Sequence, residues 1–220
     1  MLIKKFWKFY PKSKGRNNIS KKKIYLDKKK KLEISKFGKK YFDGPREYGY
    51  GGYYYNKKFF RKIAKILIQH YKLNNKSKIL DIGCAKGFLM FEIKRYLPKA
   101  EVWGVDISKY CKKNALPSIK KYIKVCSCIN LPFKKEYFDF VISISTIHNL
   151  KLNGIIKSIK EINRVSKEKS FIRVKAYRNN KEKKFIEDWN IVAKSNLSRK
   201  KWLKIFSTYK YKGDYDFSNF

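Results

Sequence analysis

The run Lys78-Ile79-Leu80-Asp81-Ile82-Gly83-Cys84-Ala85-Lys86-Gly87-Phe88 constrains this chain more than any other stretch. An apolar run stops at an acid and small residues follow. A helical repeat then begins through Phe88, Leu89, Phe91, Ile93 and Leu97. That order reads as strand, tight glycine loop, helix. Glycine lets the backbone turn sharply and pass close to a ligand. A second strand-like run, Val102-Trp103-Gly104-Val105-Asp106, also ends on an acid. A carboxylate at the end of the second strand of a βαβ unit accepts hydrogen bonds from both hydroxyls of a ribose. Together the two runs point to a site for an adenosine-containing cofactor.

The loop spacing narrows the choice. A dinucleotide site needs G-x-G-x-x-G to cradle a pyrophosphate at a helix N-terminus. Here Gly83, Ala85 and Gly87 alternate with Cys84 and Lys86, behind Asp81. The stretch resembles motif I of class I S-adenosylmethionine-dependent methyltransferases, with Ala85 in place of the middle glycine. Farther on, Leu131-Pro132-Phe133, then Phe138-Asp139-Phe140-Val141, then His148 resemble the type 11 (UbiE-like) group of that class.

The resemblance implies S-adenosyl-L-methionine as cofactor. Asp81, Gly83, Cys84, Ala85 and Gly87 would wrap its methionine part. Asp106 would take the ribose, with Ile107 beside it, and Ile129, Asn130 and Leu131 would flank the adenine. Ser145 would close the site from the fourth strand. The acid that the group carries near Cys128 is missing, so a backbone carbonyl or the Asn130 side chain would have to meet the adenine amino group. The group's usual ending is an antiparallel hairpin, of which the tail after Tyr211 supplies one strand.

Periodicity along the chain agrees with that fold class. Strand-like runs cover 78–81, 101–106, 122–126, 138–145 and 170–177. Helical repeats cover 58–71, 87–97, 108–115 and 154–165, and weaker ones 182–190 and 198–207. This alternation predicts an α/β, Rossmann-like, doubly wound sheet, mainly parallel, of about six to seven strands with helices on both faces. Its ligand crevice should lie at the carboxyl ends of the strands. Residues 1–40 read as a lysine-rich, loosely packed extension and 41–220 as the methyltransferase domain.

Several residues near that crevice carry usable chemistry. His148 follows a buried strand, where imidazole can take a proton from a methyl acceptor or merely line the pocket. The glycine- and tyrosine-rich segment 41–57 reads as an active-site lid, or as a surface loop packed on its own tyrosines. Within it Arg46, Tyr48 and Tyr50 are candidate substrate contacts. Arg178, after the fifth strand, is a candidate for an acidic substrate group or a solvated arginine. Asp188-Trp189-Asn190 is distinctive in composition, with its role open.

Charge and cysteine content bound the partners. The formal net charge is +39, from 56 Lys+Arg against 17 Asp+Glu. Lysine far outnumbers arginine, whereas bidentate phosphate recognition favours arginine. Lysine also arrives with abundant Ile, Asn, Tyr and Phe, the residues of AT-rich codons. The expectation is therefore nonspecific, salt-sensitive nucleic-acid binding. Cys84, Cys111, Cys126 and Cys128 show no zinc spacing, so reduced thiols and no metal site are expected. The basic N-terminus lacks an uninterrupted apolar run, which predicts a cytoplasmic chain with no membrane span. The leading reading is methyl transfer to O or N of a small polar molecule, such as a sugar. An RNA methyltransferase and a noncatalytic cofactor-binding member of the fold are the alternatives. Neither a Pro-Pro-Tyr-like tetrapeptide nor a Pro-Cys pair is present to favour base methylation. Oligomeric state is not legible.

Overall fold

Strands covered on both faces need apolar side chains pointing both ways, and the central strands here have them. Ile79, Leu80, Ile82, Phe138, Phe140, Val141 and Ile142 are all fully buried. The computed structural model describes residues 28–218. Its sheet contains β1 (Lys78–Ile82), β2 (Glu101–Asp106), β3 (Ile123–Val125), β4 (Phe138–Ile144), β5 (Ser166–Lys175) and β6 (Asp214–Ser218). The order is β3-β2-β1-β4-β5-β6 and every pairing is parallel. Strand order therefore reverses between β1 and β4, which fixes the ligand crevice at their carboxyl ends.

Nine α-helices occur among the described residues: α1 (Lys28–Ile34), α2 (Lys39–Phe42), α3 (Lys57–Tyr71), α4 (Phe88–Tyr96), α5 (Lys109–Lys113), α6 (Pro117–Lys120), α7 (Leu152–Val165), α8 (Asn180–Trp189) and α9 (Arg199–Thr208). Helix α3 starts where the Asn56 side chain accepts the Phe59 N–H, a normal cap. Its Phe60, Ile63, Ala64 and Leu67 join α4 over Ile79, Phe140 and Ile142. On the opposite face α7 and α9 bring Ile155, Ile159, Ile162, Trp202 and Phe206 against Leu80, Ile82, Val141 and Ile172. Each such fully buried aliphatic side chain contributes roughly 1.5–3 kcal/mol, so the two packed layers hold the sheet from both sides. Among the described residues no helix is long and apolar enough to cross a membrane.

Four details depart from the sequence expectations. The helical stretch 108–115 stops at Lys113 and a separate helix opens at Pro117. Proline has no N–H to continue one helix but suits the first turn of the next. Strand β5 begins at Ser166, directly after α7, instead of near 170. The closing strand β6 runs parallel to β5, not antiparallel, because α8 and α9 form a crossover that returns the chain in the same direction. Finally, the described part of the lysine-rich extension is packed. Ile34 is fully buried and clusters with Val192, Tyr41, Tyr48 and Ile191. Residues 1–27, the rest of that extension, lie outside the described residues.

Candidate active site

The glycine loop leaves β1 through alternating left-handed residues: Gly83 at φ +78°, Ala85 at +49° and Gly87 at +75°. A Cβ at Gly83 would overlap Thr146 Oγ1, and one at Gly87 would meet Ile119 Cγ2 at 2.7 Å. Both positions therefore require glycine for space as well as for conformation. Ala85 is a non-glycine residue in the same region, where an L-residue is strained by about 1–2 kcal/mol. Its N–H donates to Asp106 Oδ2 at 2.9 Å, and its methyl packs with Phe42 and Cys111. Cys84 turns inward, toward the position where a Cβ on Gly104 would sit. Only its backbone is left to face a ligand.

Two carboxylates end adjacent strands beside this loop. Asp106 accepts from Ala85 N and, at 2.8 Å, from Ser108 N. The Ile107 backbone N–H also favours the ionised form of this carboxylate. Ile107 next to it is an apolar side chain 48% exposed. Asp81 is 5% exposed. Burial, then the neighbouring Asp106 carboxylate, pushes its carboxyl up to about 7. A crowded pair of acids repels a pyrophosphate and welcomes cations. S-adenosylmethionine carries a sulfonium and an ammonium, so the donor set fits it.

Segment 41–55 lies directly on the loop. Lys86 Nζ reaches Asp43 Oδ2 at 2.6 Å, Asp43 Oδ1 at 2.9 Å and Tyr53 O at 3.0 Å. Asp43 also accepts Tyr110 Oη–H at 2.6 Å and Tyr53 N–H at 2.9 Å. The ion pair is almost wholly buried, and burial notwithstanding, its hydrogen bonds lower the Asp43 carboxyl. Tyr53 stacks on Phe88 with centroids 5.2 Å apart. Tyr55 Oη–H donates to the fully buried Glu92, which Arg95 and Arg61 also face. From the preceding stretch, Phe37 O accepts Ser108 Oγ–H at 2.5 Å, two residues after Asp106.

Within that segment two expected substrate contacts have structural duties. The Arg46 guanidinium donates to Gly49 O and Tyr50 O and so closes its own turn. Tyr48 packs in the cluster of Ile34 and Val192, with Lys40 Nζ 4.7 Å over its ring. Tyr50 is 38% exposed and sits among Tyr41, Phe42 and Tyr53. Arg178 is exposed and donates to Glu182 one turn along α8.

The stretch expected to flank the adenine divides. Ile129 is half-buried and Asn130 exposed. Leu131 instead is buried in the core, and its N–H donates to Glu161 Oε2 at 2.6 Å. Arg164, paired with Glu161, donates to Leu131 O and Phe133 O. Helix α7 thus fixes the Leu-Pro-Phe turn from below.

Beyond β4, Ser145 adopts φ +57° and its N–H donates to Arg173 O at 2.9 Å. His148 is 3% exposed, and burial, then Lys175 and Arg173, hold it well below the ordinary histidine range. It is a neutral imidazole at neutral pH.

The structure therefore brings together Asp81, Gly83, Ala85, Gly87, Asp106 and Ile107, joined at the same sheet edge by Ser145 and His148. Arg46, Tyr48, Leu131 and Arg178 have partners elsewhere. Lys86, Tyr110 and Ser108 were not singled out from the sequence. Lys86 lies inside the loop motif, which was the available signal.

Comparisons with known proteins agree with this geometry. Residues 80–174 match the family model described as a methyltransferase domain. The chain is 29% identical over 150 residues to a tRNA (carboxymethyluridine(34)-5-O)-methyltransferase of Arabidopsis thaliana, covering 59% of this chain and 34% of that one. It is 23% identical over 116 residues to a malonyl-[acyl-carrier protein] O-methyltransferase of Bacillus anthracis, covering 46% and 43%. The chain thus spans less than half the length of these relatives. Among solved structures, the YcgJ protein of Bacillus subtilis superposes with a TM-score of 0.55 at 19% identity, covering 66% of each chain, a likeness of fold. With its glycine loop, paired acids and parallel strands, the stretch at residues 80–174 matches the methyltransferase domain of the type 11 group.

Proposed function

We propose that this chain transfers a methyl group to an oxygen or nitrogen of a small polar molecule, such as a sugar or another metabolite. One observation carries the reading: the buried Asp81 and the ribose-ready Asp106 flank a left-handed glycine loop at the switch point of the sheet. S-adenosylmethionine, when bound, supplies an electrophilic methyl group on a sulfonium. Transfer is an in-line displacement that gains mostly from positioning and water exclusion. Asp106 would fix the ribose, Ile107 would seat the adenine, and Asp81 would face the ammonium. Segment 41–55, pinned by the Lys86–Asp43 pair, keeps water off the loop. His148, neutral and buried, is a weak base that orients an acceptor better than it removes a proton.

Calorimetry with S-adenosylmethionine tests this directly. Asp106→Ala removes charge-assisted hydrogen bonds and should weaken binding more than tenfold, about 1.4 kcal/mol; unchanged affinity would sink the assignment. A labelled-methyl screen over metabolite and RNA pools then reports the acceptor. The RNA reading is second, favoured by the net charge of +39 and by the tRNA methyltransferase among the relatives. Purely electrostatic RNA binding should collapse as salt rises and ignore sequence. A salt-resistant preference for one RNA, with methylation of it, would promote that reading.

A further inference from the structure

The glycine loop departs from its motif at Ala85, which stands in place of the middle glycine and holds φ +49°. A non-glycine residue keeps such a backbone only where its surroundings over-determine it. Here much of that constraint comes from one short stretch of chain. Phe42 packs with the Ala85 methyl. The next residue, Asp43, takes the next loop side chain: Lys86 Nζ reaches its two oxygens at 2.9 and 2.6 Å. Tyr53 O accepts from the same Nζ at 3.0 Å. Lys86 lies between the left-handed residues Ala85 and Gly87, so a tether on its side chain restrains the turn from within.

The same stretch grips the carboxyl end of β2. Ser108 donates its backbone N–H to Asp106 Oδ1 at 2.8 Å and its Oγ–H to Phe37 O at 2.5 Å. Tyr110 Oη–H reaches Asp43 Oδ2 at 2.6 Å. The Asp106 carboxylate is therefore bracketed by Ala85 N–H on one oxygen and Ser108 N–H on the other. Both donors belong to residues that touch the stretch 37–43. Asp43 contacts both sides, the loop through Lys86 and α5 through Tyr110. A ligand that needs this geometry gains affinity from whatever organises it beforehand.

We propose that Asp43 is a positioning residue of the cofactor site. Through Lys86 it holds the left-handed turn at Ala85, and through Tyr110 it holds the chain that follows Asp106, so S-adenosylmethionine meets both already set. The alanine and the lysine, which the motif does not prescribe, each have a neighbour at 42 or 43 that accounts for them. This rests on the methyl-transfer reading above.

The test is calorimetry of S-adenosylhomocysteine on the full chain, together with hydrogen exchange of the Ala85 amide in the unliganded protein. Asp43→Asn keeps the side-chain shape and removes the charge. It should weaken binding at least about tenfold and speed Ala85 exchange by about the same factor. Adding Ala85→Gly should recover most of the lost affinity, because glycine adopts the left-handed turn unaided. Ile159→Ala, in the packed layer on the opposite face, should lower the melting temperature and leave the affinity within about twofold of the native value. Native affinity or native exchange in Asp43→Asn, a loss that Ala85→Gly does not relieve, or an equal loss in Ile159→Ala would overturn the proposal. A native chain that does not bind S-adenosylhomocysteine would instead overturn the methyl-transfer reading, and the exchange rates would still decide whether Asp43 holds the loop.

Discussion

Replacing Asp81 by asparagine should make the chain more stable and a worse cofactor binder. The carboxyl is 5% exposed, and burial with the Asp106 charge raises it from the ordinary 3.8 to about 7. At 1.36 kcal/mol per pKa unit, the ionised form costs the folded, cofactor-free protein about 4 kcal/mol. The sign follows from proton counting. Between 3.8 and about 7 the folded state holds a proton that the unfolded chain has lost. Stability therefore falls as pH rises through that window, and the loss is complete above it. Asparagine keeps the shape and removes the charge, but its N–H₂ needs a partner, which returns about 1–3 kcal/mol. The expected net gain is about 1–3 kcal/mol at pH 8, shrinking by about 2–3 kcal/mol at pH 5. Urea unfolding of both proteins at the two pH values measures it. A stability difference that does not change with pH would refute the reasoning. In the native protein, binding an ammonium-bearing cofactor at pH 6.5 should release protons from Asp81. Calorimetry in two buffers of different ionisation enthalpy reads that release.

Two further outcomes follow from how segment 41–55 is held. Lys86→Met leaves the largely buried Asp43 carboxylate with only the Tyr110 and Tyr53 hydrogen bonds and should cost about 1–3 kcal/mol; adding Asp43→Leu should restore part of it, and simple additivity in the double-mutant cycle would dissolve the pair. Compared with a chain starting at Lys28, one starting at Tyr41 loses the burial of Ile34 and the Phe37–Ser108 bond and should be about 2–4 kcal/mol less stable; equal melting temperatures for the two would show that α1 adds nothing.

The sheet and cofactor edge were legible for one physical reason. A parallel strand buried on both faces is rich in apolar residues, and an acid marks its carboxyl end, one residue before the end of β1 at Asp81 and at the last residue of β2 at Asp106. Residues whose role depends on a distant partner were not legible. Lys86 looks like any of the chain's many lysines until Asp43 folds onto it. An arginine beside glycines, such as Arg46, could reach a substrate or cap its own turn, and only the backbone path through Gly49 and Gly51 decides. Leu131 read as an adenine contact because its neighbours matched a motif, yet Glu161 and Arg164 of α7 turn it into the core. The direction of β6 depends on the α8–α9 crossover, where the periodicity is weakest.

The order in which the chain emerges has a consequence for synthesis on the ribosome. The aromatic segment ending at Tyr55 docks on Lys86, on Phe88 and Phe91 of α4 and on Tyr110 of α5. With Tyr110 the last of these to emerge, that surface is complete about fifty-five residues after Tyr55. At about 5–20 residues per second the wait is on the order of 3–11 s. During that interval Asp43, Tyr53 and Tyr55 lack these partners. The lysines at 21–23, 28–31, 36, 39 and 40 precede them. Their mutual repulsion keeps neighbouring nascent chains apart, so the same charge that a folded surface would spend on polyanions also protects the chain before it has a fold.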